Sequence, residues 1–335
     1  MLRSHPTRKQ ETAIKSGFGN GLKFFACCIL SACAATPTAS LAAEGGTGHY
    51  LPGGIATIID LAPTKPGWVV EPVYLHYDGS ASASVSIPVA TLAAAGLTAK
   101  SDAILLGGLH TFEQTVLGAH YSAGLYLPYV WISAEAQIKT PFGNRLQQDS
   151  TNGVGDMLLM PAMLAWKTGF WPFNTLLPVY APTGGYQTGR LANPGLNYWT
   201  FDPIVGVSYN NDKIGLNVAL HGGIAANTRN DAIGYTSGSM LHFEGSVQQL
   251  LPAGPGFLGL GAEAFYQEQV TADSGPGRLL GDFKGHTAGV GPTLTYILPQ
   301  ANKDTFVAEF RWLPEIDVKR RLNGEYFWLK MVYQF

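Results

Sequence analysis

Glu325-Tyr326-Phe327-Trp328-Leu329-Lys330-Met331-Val332-Tyr333-Gln334-Phe335 is the stretch whose reading decides the class of this chain. Counting back in twos from Phe335 gives Tyr333, Met331, Leu329 and Phe327, while the interleaved positions hold Gln334, Lys330 and Tyr326. Alternate side chains of a strand point to opposite faces, so the stretch reads as a strand with one greasy and one mixed face. As a globular edge strand it would be a liability, because a long row of unpaired backbone groups invites aggregation. In a closed barrel the edge disappears and the greasy face meets lipid.

Phe335, a last aromatic on that greasy face, resembles the assembly signal of bacterial outer-membrane barrels, which implies the barrel-assembly machinery as a partner. The other end agrees. Five basic residues (Arg3, Arg8, Lys9, Lys15, Lys23) stand against Glu11, the run 24–35 is almost wholly apolar, and Ser40-Leu41-Ala42 supplies a small-x-small cleavage pattern. Residues 1–42 are therefore expected to be a signal peptide for Sec-type export, too short in its apolar part to span a bilayer as a helix. Leu30-Ser31-Ala32-Cys33 also matches a lipoprotein box, which would leave Cys33 lipidated. All three cysteines (Cys27, Cys28, Cys33) lie in this leader, so a product cut after Ala42 has no thiol chemistry. The whole chain carries −2, and removing the leader's five bases and one acid leaves −6, which excludes a basic nucleic-acid footprint.

Charged residues make up only 13% of the chain, yet no twenty-residue apolar run follows the leader. Such a chain hides its hydrophobicity in alternation. Leu216, Val218, Leu220 and Ile224 alternate with Asn217, Ala219, His221 and Gly223; Leu241, Phe243 and Val247 with His242, Glu244, Ser246 and Gln248; Phe306, Ala308, Phe310 and Trp312 with Val307, Glu309 and Arg311. Residues 68–335 thus read as an all-β, transmembrane, antiparallel up-and-down barrel of the outer membrane with about twelve strands. The gaps between strands alternate in length, and the long ones are expected at 79–99, 138–154, 181–197, 227–238, 271–283 and 314–325. Short periplasmic turns and long extracellular loops are the pattern of outer-membrane barrels. The first strand is less clear, since Glu71 and His76 fall on opposite faces. Residues 43–67, rich in Gly and Pro, form either a periplasmic tail or a segment tucked into the barrel as a plug.

Several loops share longer motifs. They include Pro66-Gly67-Trp68, Gly155-Asp156, Pro182-Thr183-Gly184, Asn193-Pro194-Gly195-Leu196-Asn197-Tyr198-Trp199-Thr200-Phe201-Asp202-Pro203, Tyr235-Thr236-Ser237-Gly238, Asp273-Ser274-Gly275 and Gly281-Asp282-Phe283-Lys284-Gly285. With these the chain resembles the outer-membrane family associated with the MetA pathway of phenol degradation, also called SphA-like. Arg229 and the pair Arg278-Leu279 depart from the pattern. The resemblance implies passage of small hydrophobic or aromatic compounds, and it carries over no catalytic residue.

Inward-facing candidates for the lumen are Asp202, His221, His242, Glu244, Glu263, Glu309, Arg311 and Lys330, in which both signs occur and can pair across the interior. About twelve strands leave a lumen that side chains largely fill, which disfavours wide diffusion. Tyr186, Asn197, Tyr198, Trp199, Phe201, Asn227, Tyr235, Asp273 and Phe283 are candidates for the extracellular mouth, with part of the aromatics serving as interfacial girdle. Asp273-Ser274-Gly275 lacks the flanking order of a serine nucleophile, the mature histidines show no zinc-like spacing, and Asn227, Asn230 and Asp231 read as turn formers. No metal or cofactor is expected. The reading is a monomeric barrel of the Gram-negative outer membrane, in contact with lipid and with a small hydrophobic solute. The alternatives are a lipid-acting hydrolase and a structural or adhesion barrel.

Overall fold

The computed structural model describes residues 48–82, 86–89, 92–140, 143–275, 284–300 and 304–335. The expected signal peptide, Cys33 and the mouth candidate Phe283 lie outside the described residues. Among the described residues twelve strands form a closed antiparallel barrel. They are β1 (Gly67–Ser80), β2 (Leu92–Val116), β3 (Ala119–Thr140) and β4 (Gly143–Val154, continuing as Met157–Trp166). Then come β5 (Phe173–Leu176 and Val179–Ala181), β6 (Thr200–Phe201 and Ile204–Asn211) and β7 (Leu216–Asn227). The wall finishes with β8 (Met240–Ala253), β9 (Gly256–Gln269), β10 (His286–Pro299), β11 (Thr305–Lys319) and β12 (Asn323–Gln334).

The seam is the pairing of β1 with β12, running from Val69 opposite Gln334 to Ser80 opposite Asn323. Trp68 and Phe335 extend it by exchanging backbone hydrogen bonds of 2.9 and 3.0 Å. Alternation holds around the wall. In β12, Tyr326, Trp328 and Lys330 are buried while Leu329, Met331, Tyr333 and Phe335 are exposed. In β1, Glu71 faces in and His76 faces out, where its Nδ1 lies 2.9 Å from Asp102 Oδ1 at the rim. Both residues therefore fit one strand, because each follows the alternation.

Three connections differ from the expected loops; in the first, 79–99, β2 already runs from Leu92 and a short strand, Ser86–Val89, pairs with its start. The segment 138–154 belongs to a long hairpin whose pairing continues as far as Thr140 opposite Gly143, and β11 runs on through 314–319 to a turn at 320–322. Both stretches rise beyond the apolar belt, where no lipid enforces an apolar face and the strand period is written in polar residues. The first short turn sits at Leu117-Gly118, whose φ values of 52° and 76° suit a tight hairpin. Two staves of the wall carry breaks, at Leu177-Pro178 and at Asp202-Pro203, since proline has no N–H for the ladder. A third break falls at Gly155-Asp156 in β4.

Candidate functional site

Residues 48–66 run inside the barrel with no regular structure beyond a single 3-10 turn at Ile58–Asp60. Such a stretch carries many backbone donors and acceptors that a buried setting must satisfy. The inner face of β8 to β12 supplies the partners. Glu244 accepts from Gly53 N at 2.8 Å, Ile55 N at 3.1 Å and the Tyr50 hydroxyl. Ser246 Oγ donates to Ala56 O at 2.6 Å, and Ile58 N donates to Gln248 Oε1 at 3.0 Å. Trp328 Nε1 donates to Pro52 O at 2.9 Å, which requires the chain to pass close under the indole; Gly53, at φ +91°, allows it because a Cβ there would strike that ring.

The charged candidates converge on the same segment. Arg311 Nε donates to Glu309 Oε1 at 2.5 Å, its NH1 donates to Gly53 O and lies 3.3 Å from Glu263 Oε2, and its NH2 reaches Thr57 Oγ1 and Asp60. Lys330 Nζ donates to Asp60 Oδ1 at 2.6 Å and to Gly54 O at 2.9 Å. All eight lumen candidates are buried. The sequence analysis expects wall charges of both signs to pair across the interior; Arg311 pairs so with Glu309 and Glu263, and Asp60, from the segment, stands between the two cations. Asp202 and His242 form a pair at 2.8 Å, and Tyr50 stacks on His242 with ring centroids 3.6 Å apart. His221 sits beside Asn174 at 3.3 Å and takes no part in the segment's anchoring bonds described above.

The other half of the wall, β1 to β6, presents Val73, Leu75, Leu105, Met160, Met163 and Ile204 inward. Between this wall and the segment's Ile55, Ile58 and Leu61 lies a cavity of about 430 Å3. Its lining extends to Val332 and Gln334 at the rim that carries the short turns. A smaller cavity of about 160 Å3 lies toward the opposite rim and shares Leu51, Leu75 and Leu196 with the first. Glu71, which the sequence reading did not single out for function, faces the main cavity. The signal that would have found it is its position: an acid two residues from valines on the same face.

The β5–β6 connection caps this region. Asp156 Oδ1 accepts from Gly184 N at 2.8 Å and its Oδ2 from Leu196 N at 2.6 Å, and the loop returns so closely that a Cβ on Gly195 would lie 2.8 Å from Gly184 Cα. His49 Nε2 lies 2.9 Å from the same carboxylate and its Nδ1 2.6 Å from Thr200 Oγ1, while its ring stacks on Tyr180 at 4.9 Å. The mouth candidates separate into three groups. Tyr186 lines the smaller cavity, and Tyr198 is buried edge-on to His49. Asn197 donates to Asn230 at 2.7 Å, Asn227 accepts from Thr200 at 2.6 Å, and Tyr235 donates to Asp273. Burial pushes the Asp273 carboxyl up to about 7 in spite of those donors. Trp199 and Phe201 alternate with inward Tyr198, Thr200 and Asp202 and so stand on the outer surface, stacked on each other at 6.4 Å. They are girdle residues by geometry. Among the described residues no cluster of three or more His, Cys, Asp or Glu is placed to hold a metal ion.

The family model described as "Putative MetA-pathway of phenol degradation" matches residues 78–331. The chain belongs to this family. Among solved structures, an outer membrane channel from Pseudomonas putida F1 is 18% identical, with a TM-score of 0.61 over 85% of this chain and 100% of that one. The β domain of the Bordetella autotransporter BrkA is 11% identical, with a TM-score of 0.49 over 81% and 100%. A FadL homologue of Pseudomonas aeruginosa is 9% identical, with a TM-score of 0.40 over 89% and 97%. No curated protein matches the sequence. The likeness to the P. putida barrel shows that this chain has the fold of an outer-membrane β-barrel.

Proposed function

We propose that this barrel is an outer-membrane channel for small hydrophobic solutes, aromatic ones in particular, and that the segment 48–66 acts as a plug that divides its lumen. The observation that carries the reading is the unequal wall. Glu244, Ser246, Gln248, Arg311 and Lys330 of β8 to β12 bind the segment, while β1 to β6, the segment's own isoleucines and Val307, Trp328 and Val332 line a mostly apolar cavity of about 430 Å3. Small-molecule pockets are concave, mostly apolar and of about 300–1,000 Å3. A water-filled pore would need the opposite lining. The family description, which concerns phenol degradation, supports an aromatic solute. The same reading has a monomer reaching the outer membrane by Sec-type export and inserted there by the barrel-assembly machinery.

A hydrolase is the reading that the Asp156–His49–Thr200 array would favour, because it joins a hydroxyl, an imidazole and a carboxylate. Its polarity argues against a nucleophile. Asn227 Nδ2 donates to Ser237 O and to Gly238 O, so Asn227 Oδ1 is the acceptor of the Thr200 proton at 2.6 Å. The hydroxyl proton therefore points away from His49. The test of the channel is uptake of a labelled one-ring solute by intact cells with and without the protein. Faster uptake with the protein is expected; equal rates for both strains would refute it.

A further inference from the structure

Glu71 is an acid set into the apolar half of the wall, less than a tenth exposed and facing the main cavity. Its place is built by three adjacent strands. Glu71 of β1 pairs in register with Gly107 of β2, and Gly107 pairs with Tyr126 of β3. A Cβ at position 107 would strike the Tyr126 ring, so glycine there lets that ring lie flat across β2. The tyrosine hydroxyl then reaches over the intervening strand and donates to Glu71 Oε2 at 2.7 Å. This is the one side-chain hydrogen bond of Glu71 among the described residues.

A carboxylate offers about four acceptor positions, and leaving a buried one undersatisfied is costly. The two cations that also border the lumen are committed elsewhere, Lys330 to Asp60 and Arg311 to Asp60, Glu309 and Glu263. Glu71 is therefore an acceptor presented to the cavity. Bracing the wall would not need it, since the Tyr126 ring already packs on Gly107, and Val69 and Val73 hold the neighbouring inward positions with side chains that need no partner.

We propose that Glu71, held in place by Tyr126, is the specificity-determining acceptor of the cavity: it selects one-ring solutes that carry a hydroxyl or other hydrogen-bond donor over bare hydrocarbons, and it rejects carboxylated rings. This rests on the channel reading. A donor on the solute makes a charge-assisted hydrogen bond with the carboxylate, a methyl group makes none, and an anionic solute meets a like charge.

The experiment compares labelled phenol, toluene and benzoate at neutral pH, taken up by intact cells that carry the wild-type protein, E71Q, E71L or no barrel. Because a hydrogen bond to a charged group is worth roughly one to two powers of ten, E71L is expected to lower the phenol-to-toluene uptake ratio roughly ten- to a hundredfold. E71Q, which keeps an acceptor and removes the charge, is expected to lower that ratio less and to raise benzoate uptake. Heat-modifiable migration checks the fold of each variant, and should E71L fail to fold, the near-isosteric E71Q decides through the benzoate rate. If the barrel speeds uptake but both variants keep all three rates in wild-type proportion, Glu71 is a wall residue only and the proposal is overturned while the channel stands. If the wild-type barrel speeds none of the three solutes, the channel reading falls and the proposal falls with it.

Discussion

Replacing Arg311 with Ala should release the plug while leaving the barrel closed. The guanidinium is fully buried and bonds three groups of the segment (Gly53 O, Thr57 Oγ1 and Asp60) and two carboxylates of the wall, Glu309 at 2.5 Å and Glu263 at 3.3 Å. Its loss leaves Glu263 and Glu309 without their cation and Asp60 with Lys330 alone. Removing one partner of a buried ion pair costs about 3–5 kcal/mol, because the other charge stays uncompensated. The strand ladders do not involve the side chain; the part of the cost that arises at Gly53, Thr57 and Asp60 falls on the docked state of the segment, and the part at Glu263 and Glu309 on the wall. At about 1.4 kcal/mol per power of ten, docking should weaken by up to about three and a half powers of ten. In a background without Cys27, Cys28 and Cys33, a cysteine at Ile58 reports this directly through its rate of reaction with a hydrophilic maleimide. Bilayer conductance of the purified protein should rise in parallel. If the labelling rate and the conductance of a heat-modifiable Arg311→Ala barrel both match the wild type, the guanidinium does not hold the segment and the reasoning is refuted.

Three further outcomes are expected. Gly195→Ala puts a Cβ 2.7 Å from Asp156 Oδ1 and 2.8 Å from Gly184 Cα, an overpacking worth about 1–3 kcal/mol, so limited proteolysis within 182–197 should speed up. Asp273 titrates at about 7 in the fold against 3.8 ordinarily, so its contribution is complete below about pH 4 and is lost as pH rises through 7; hydrogen exchange at 235–238, corrected for intrinsic rates, should be slower at pH 5 than at pH 8, and Asp273→Asn should flatten the difference. Cysteines at the exposed loop positions Thr188 and Asp231 should label from outside intact cells and one at Asn211 should not, and labelling at Asn211 would invert the topology.

Much of the wall was legible because lipid imposes a period of two. Every stretch read as a strand corresponds to a stave of the barrel, and charges such as Glu244 or Arg311 had to face inward, since their neighbours on both sides were apolar. The hairpin at 138–154 was not legible for the same reason in reverse: Leu146, Gln148 and their neighbours stand in water, so no contrast between faces marks the strand. Asp60 escaped because a segment without secondary structure has no period from which to infer a facing direction. Trp199 and Phe201 were assigned to the mouth by their motif, whereas their parity with Tyr198 and Asp202 already put them outside.

The seam and the segment together constrain the order of folding. Residues 48–66 leave the ribosome before any strand, yet their partners lie 190 residues later at Gln248, 191 at Glu244, 258 at Arg311 and 276 at Lys330. Contacts so distant in sequence are slow to form, because the chain between them must be ordered first. Until the segment arrives, Arg311 and Lys330 are charges in a closing interior without Asp60. Since β1 begins at Gly67, directly after the segment, zipping β1 against β12 draws residues 48–66 toward those charges. A chain cut back to Gly67 should thus stall at the final closure of its barrel, late in biogenesis and after most of its hairpins have formed.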